Sequence, residues 1–98
     1  MQTITTDFHY RNHYFTIILD NGYYLAIDHA YLTNGRLNRQ LNGFDMYADK
    51  ELSGCISKLM NRLDYDYFIR RGLSKAEAIS RTVGVPLEAA KMLVEMYN

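Results

Sequence analysis

A single cysteine, Cys55, stands in the chain, which excludes an internal disulfide framework and suits a reducing cytosol. Tryptophan is absent, and Pro86 is the one proline. An excess of charge of either sign is also missing: 11 Lys and Arg face 11 Asp and Glu, for a formal net charge of zero. Such a chain has neither the positive field that non-specific nucleic-acid binding needs nor the negative field of a phosphate mimic. Long apolar runs are lacking too, and the opening "MQTITTDFHY" has no basic start and no apolar stretch of the secretory kind. The expectation is a cytoplasmic, soluble protein with no membrane partner. No catalytic or cofactor motif stands in the 98 residues, which points away from an enzyme and from a bound cofactor.

What is present is a hydrophobic fraction of 48% with 9 Tyr and 4 Phe, the composition of a folded protein. The length suits a single domain over residues 1–98, and no Ser, Gly or Pro linker divides it. Residues 1–48 read as a sheet-and-loop region and residues 49–98 as a helical one. In the first, Ile4, Thr6, Phe8 and Tyr10 alternate, and "HYFTIILD" is rich in β-branched and aromatic residues. Asn21-Gly22 supplies the positive φ angles of a two-residue hairpin turn, and Arg11-Asn12 closes an earlier one. Three strands follow, at residues 2–10, 13–20 and 23–28, paired as an antiparallel meander. Beyond them, "HAYLTNGRLNRQLNGFDMYAD" holds two more Asn-Gly pairs, Asn34-Gly35 and Asn42-Gly43, and reads equally as a further hairpin or an ordered loop.

From Asp49 the period changes. Leu52, Ile56, Leu59, Met60, Leu63 and Tyr67 recur at three and four, predicting one long amphipathic helix with Asp49 as N-cap and Arg70 and Arg71 near its negative end before Gly72. Gly54 weakens that helix by roughly 1 kcal/mol relative to alanine. Ser74 and Glu77 form a capping box opening a short helix that stops at Gly84, and Pro86 fits the first turn of a last helix. The predicted fold class is α+β: a three-stranded antiparallel N-terminal sheet packed against the long helix, followed by two short C-terminal helices.

The apolar and glycine positions Ile79, Val83, Gly84, Val85, Ala90 and Leu93 fall where those of a helix-turn-helix lie, so Ala76 to Leu93 resembles that motif. Similar spacing occurs in small three-helix ubiquitin-binding modules, with "RGLS" at Arg71 to Ser74 as their glycine loop. The shared physics is two short helices crossing over a small residue and burying Ile79, Val83, Leu87, Ala90, Leu93 and Val94. A recognition helix must aim donors at bases and phosphates, whereas "PLEAAKMLVEMYN" offers Glu88, Lys91 and Glu95. A nucleic-acid-binding regulator is therefore the alternative reading, behind protein binding.

"RLDYDYFIRRG" gathers carboxylates, phenols and arginines. A solvated ladder, Arg62 to Asp66 to Arg70, is its plain structural account, and a partner contact through Tyr65, Arg62, Arg70 and Arg71 its functional one. Lys58, Arg62, Arg70, Arg71, Lys75 and Arg81 make this part of the chain locally basic. Tyr23 and Tyr24 are adjacent on one strand and must face opposite ways, so one of the phenols among Tyr10, Tyr14, Tyr23, Tyr24 and Tyr31 faces solvent and offers a second contact. His9, His13 and His29 do not suggest a metal site, because a turn pairing Tyr10 with His13 puts His9 and His13 on different faces. Cys55 falls on the buried side of the helix as an inert thiol, and Asp20 and Asp28 read as turn and strand-end residues.

In size and lack of catalytic motifs the chain is similar to the small accessory proteins of phages, plasmids and conjugative elements, the anti-CRISPR inhibitors among them. That resemblance implies stoichiometric occlusion or trapping of a CRISPR effector nuclease. A homodimer is a further option for the aromatic face.

Overall fold

A computed structural model of the protein describes residues 1–29, 32–33, 36–37 and 46–97. The fold is α+β, with strands preceding helices along the chain. Three strands lie where the alternation predicts them: β1 (Gln2–Tyr10), β2 (His13–Asp20) and β3 (Tyr23–Asp28). Both hairpin turns use the left-handed region, with Arg11 at φ 44° and Asn12 at 64°, then Asn21 at 51° and Gly22 at 81°. Two consecutive positive φ angles twist the backbone in the sense that flanking strands require, which is why Asn-Gly is so common there. An arginine in that region is rarer and carries a small steric cost.

The sheet has four strands, not three. A two-residue ladder, β4 (Leu32–Thr33) with β5 (Arg36–Leu37), stands apart from it, and β6 (Met46–Asp49) adds antiparallel to β3 in the order β1-β2-β3-β6. Four residues are too few for period-two alternation to stand out, which is why β6 escapes a sequence reading. Asn34-Gly35, Asn42-Gly43 and Tyr31 lie outside the described residues.

Helix α1 (Leu52–Arg70) is followed by α2 (Lys75–Val83) and α3 (Leu87–Tyr97). The chain forms two compact units, Met1–Leu59 and Met60–Asn98, so the first turns of α1 belong with the sheet and the rest with α2 and α3. In the first unit one sheet face carries Phe15, Ile17 and Ala26, all buried, and α1 contributes Cys55 and Leu59, both fully buried. The Cys55 thiol donates to the Tyr47 carbonyl of β6 at 3.2 Å, and Lys58 donates to the Ala48 carbonyl at 2.7 Å.

Asp49 ends β6 and is not the N-cap, which falls at Glu51. Its carboxylate still serves the helix start, accepting from the Glu51 backbone N–H at 2.8 Å and pairing with Lys58 at 3.2 Å. Gly54 makes that possible. A methyl group there would lie 2.5 Å from Asp49 Cγ, so the glycine that weakens the helix also leaves room for the carboxylate against it.

In the second unit α1 ends in a Schellman motif. Leu73 N–H donates to the Phe68 carbonyl at 3.1 Å and Gly72 N–H to the Ile69 carbonyl at 3.0 Å, with Gly72 at φ 94°. The predicted capping box is present, Ser74 accepting from Glu77 N–H and Glu77 reaching back to Ser74 N–H. Gly84 closes α2 at φ 75°, and the Ser80 hydroxyl donates to the Val85 carbonyl at 2.6 Å, tying the turn together. Among the described residues of α2 and α3, Ala78 and Ala90 are fully buried, Ile79, Leu93 and Val94 are half-buried, and Val83 and Leu87 are exposed. These last two were expected inside. They flank the Gly84 to Pro86 turn, where the helices end and cover least.

Candidate functional site

Side chains from the end of α1 and from α2 assemble into one row in the second unit. Arg71 lies over the Tyr67 ring, its Cζ 5.1 Å from the centroid; Tyr67 meets Phe68 edge to face at 5.4 Å; and Arg81 of α2 lies over Phe68 at 5.9 Å. Two guanidinium groups thus bracket two rings. Each cation–π contact holds its guanidinium in place while leaving the N–H donors free to bind elsewhere.

Helical spacing explains the row. Tyr67 and Arg71 are one turn apart, and the tight Schellman turn and capping box hold the start of α2 close behind, so Arg81 reaches Phe68. Tyr67 was expected in the buried stripe, but the residue is 37% exposed. The apolar spacing includes it, yet a large ring in the last turn of a helix can lie along the surface with an arginine as cover.

Among the residues singled out by sequence, Arg71 is in this row and Arg70 is beside it, exposed. Tyr65 is half-buried and lies two residues from Tyr67 on the helix, on a different face. Arg62 pairs with Asp66 at 3.4 Å, and among the described residues no carboxylate pairs with Arg70, so only the first rung of the expected ladder is made. Lys58, counted with the local basic residues, is taken up by Asp49 and Ala48 in the other unit. Arg81 was counted with the local basic residues, but its pairing with Phe68, and Phe68 itself, were missed. They stand thirteen residues apart, and only the turn between the helices brings them together.

On α3 the exposed residues include Glu88, Lys91, Met92, Glu95 and Met96. Lys91, its one cation, pairs with Glu88 at 3.4 Å. The face that a recognition helix would present to DNA is therefore acidic and methionine-rich.

In the first unit Tyr23 and Tyr24 do face opposite ways, Tyr23 exposed with Lys50 6.0 Å from its centroid and Tyr24 half-buried. The surface bearing Tyr23 also bears an aromatic ladder across strands: His9 stacks on Tyr14 at 4.5 Å, Tyr14 on His29 at 6.4 Å, and His29 Nε2 meets the Thr16 hydroxyl at 2.9 Å. Tyr10 opposes His13, which separates His9 from His13 as the turn requires. On the other face His13 Nδ1 bonds Asp28 at 2.6 Å. Asp28 is thus a buried partner of a histidine and not merely a strand end. Among the described residues no group of three or more His, Cys, Asp or Glu side chains is arranged to hold a metal, and no helix is long and apolar enough to cross a membrane.

Comparison with protein-family models, curated proteins and solved structures returns no match. The functional reading therefore rests on the chemistry of the side chains above.

Burial pushes the Cys55 thiol above its usual range, opposed by a backbone hydrogen bond from Ala26 and reinforced by the negative charge of Asp49. Its neutral form is favoured in the fold, so this contribution to stability is complete below the unfolded thiol's pKa and is lost as pH rises through the folded value. At neutral pH a thiol-specific chromogenic reagent should leave the native protein unlabelled and label it fully in denaturant. Rapid labelling of the folded chain would contradict the buried, protonated thiol.

Proposed function

We propose that this is a non-enzymatic accessory protein that works by binding another protein, with the row Arg71, Tyr67, Phe68, Arg81 and the adjacent Arg70 as its contact surface. The observation that carries the proposal is the row itself. Arginine and tyrosine dominate binding hot spots because a rigid ring and a fork of donors yield much contact for little lost freedom. Here the arginines are already held by the rings. Tyr23 and the ladder around Tyr14 supply a second exposed aromatic area in the other unit.

The resemblance to anti-CRISPR inhibitors makes a CRISPR effector nuclease the first partner to try, with stoichiometric occlusion or conformational trapping as the mechanism. Affinity capture from host or prey, with the captured protein then purified for titration calorimetry, supplies the test. The reversal R70E/R71E should weaken the complex at least about tenfold, as loss of an anchoring residue does. Unchanged affinity in a folded variant would remove the end of α1 from the contact.

The alternative, a nucleic-acid-binding regulator, is favoured by the α2, Gly84, α3 arrangement. It predicts tight binding to duplex DNA in gel shift that falls steeply with salt. The acidic, methionine-bearing exposure of α3 weighs against it. A homodimer without a foreign partner predicts a doubled mass by light scattering.

A further inference from the structure

We infer that the row at the end of α1 receives an acidic segment of the partner protein, in which carboxylates flank an apolar side chain. The inference rests on the protein-binding reading above and specifies the partner's chemistry.

The charge on the row is not neutralised from within. Among the described residues no carboxylate pairs with Arg71 or Arg81, whose recorded contacts are with rings. The nearby acids are committed elsewhere: Asp66 to Arg62, Glu77 to the capping box, and Asp64 is half-buried and already has a partner. Arg70, next to Arg71 in the chain, and Lys75, at the start of α2, are exposed and add positive charge to this unit. A guanidinium fork matches a carboxylate through two parallel hydrogen bonds, and the cation–π contact favours a fork already placed at the ring by about 0.5–1 kcal/mol. Between the two forks lies aromatic surface, Tyr67 over Phe68. The complement to cation, ring, ring, cation is acid, apolar group, acid.

A phosphate backbone presents negative charge too, but it requires cations spaced along a path and an absence of acids beside it. This unit exposes Glu88 and Glu95 on α3 and ties Lys91 to Glu88. With a formal net charge of zero over the chain, no long-range attraction draws a polyanion in. A short acidic protein segment fits the local charge, whereas a nucleic-acid duplex does not.

Fluorescence anisotropy on the full chain tests this with three labelled probes: a peptide of repeating Glu-Glu-Phe, the same peptide with Gln for Glu, and duplex DNA of equal charge. The acidic peptide should bind at least about tenfold tighter than either other probe. R71E/R81E should lose about tenfold or more, while R71K/R81K keeps the charge but not the fork and falls between. Circular dichroism confirms that each variant is folded. Equal binding of the Gln peptide, DNA binding as tight as the acidic peptide, or an unaffected R71E/R81E would overturn the inference. If the acidic peptide fails while R70E/R71E still disrupts the complex with a captured partner, the protein-binding reading stands and only its acidic specificity falls. If DNA alone binds, both fall.

Discussion

Phe15→Ala is expected to cost about 3–5 kcal/mol, a large share of the stability of a small domain. Phe15 is 0% exposed, in mid-β2, with the rings of Phe8 at 6.5 Å, His13 at 6.3 Å and Tyr47 at 6.2 Å. Those neighbours stand on β1, β2 and β6, and their backbones are held by ladder hydrogen bonds, so they cannot collapse into the space left behind. The lost contacts and the residual cavity both count against the variant. The adjacent Tyr14 is the control, 48% exposed on the opposite face. Tyr14→Ala should cost under about 1 kcal/mol, because it gives up cross-strand stacking and creates no cavity. Urea unfolding followed by circular dichroism measures both. Similar losses at the two positions would mean that the sheet faces are assigned wrongly.

Gly54→Ala should destabilise the protein, against the rule for a glycine inside a helix. Propensity alone predicts a gain of about 1 kcal/mol, which in a chain of this size raises the melting temperature by about 4–8 °C. The added methyl, however, would lie 2.5 Å from Asp49 Cγ, so the carboxylate has to shift. Crowding of this kind costs about 1–3 kcal/mol, and relief by rotating Asp49 away sacrifices its bonds to Glu51 and Lys58. In a chain already carrying Asp49→Ala the clash is gone, so the same substitution should stabilise. That reversal of sign, read from four melting curves, is the diagnostic result. Were Gly54→Ala to raise the melting temperature in both backgrounds, the packing of Asp49 against the helix would be refuted.

The same contact has a pH signature. The Glu51 backbone N–H, with help from the Lys58 ammonium, holds the Asp49 carboxyl below its ordinary value. A depressed carboxylate stabilises the fold above its unfolded pKa and ceases to do so as pH falls through the folded value. Asp49→Ala should therefore flatten the acid limb of the stability curve and leave the neutral region parallel to wild type.

Local chemistry was legible where it acts over a few residues. Asn21-Gly22 and Arg11-Asn12 mark their turns because a two-residue hairpin demands positive φ angles. Ser74 and Glu77 mark a helix start because they satisfy each other's backbone N–H groups. What escaped has one cause in common. The pairing of β6 with β3, the burial of Asp28 beside His13 and the placement of Arg81 against Phe68 all join residues distant in sequence.

The amino-acid order by itself determined the three-stranded meander, the capping box that opens α2 and the glycine stops, since each follows from backbone preference or from a period that repeats within one element. Tertiary structure alone decided that a fourth strand joins the sheet, that Gly54 packs against the Asp49 carboxylate, and that Tyr67 lies at the surface between an arginine and a phenylalanine. These outcomes depend on which faces of separate elements meet, and a contact energy between two elements is written in neither one.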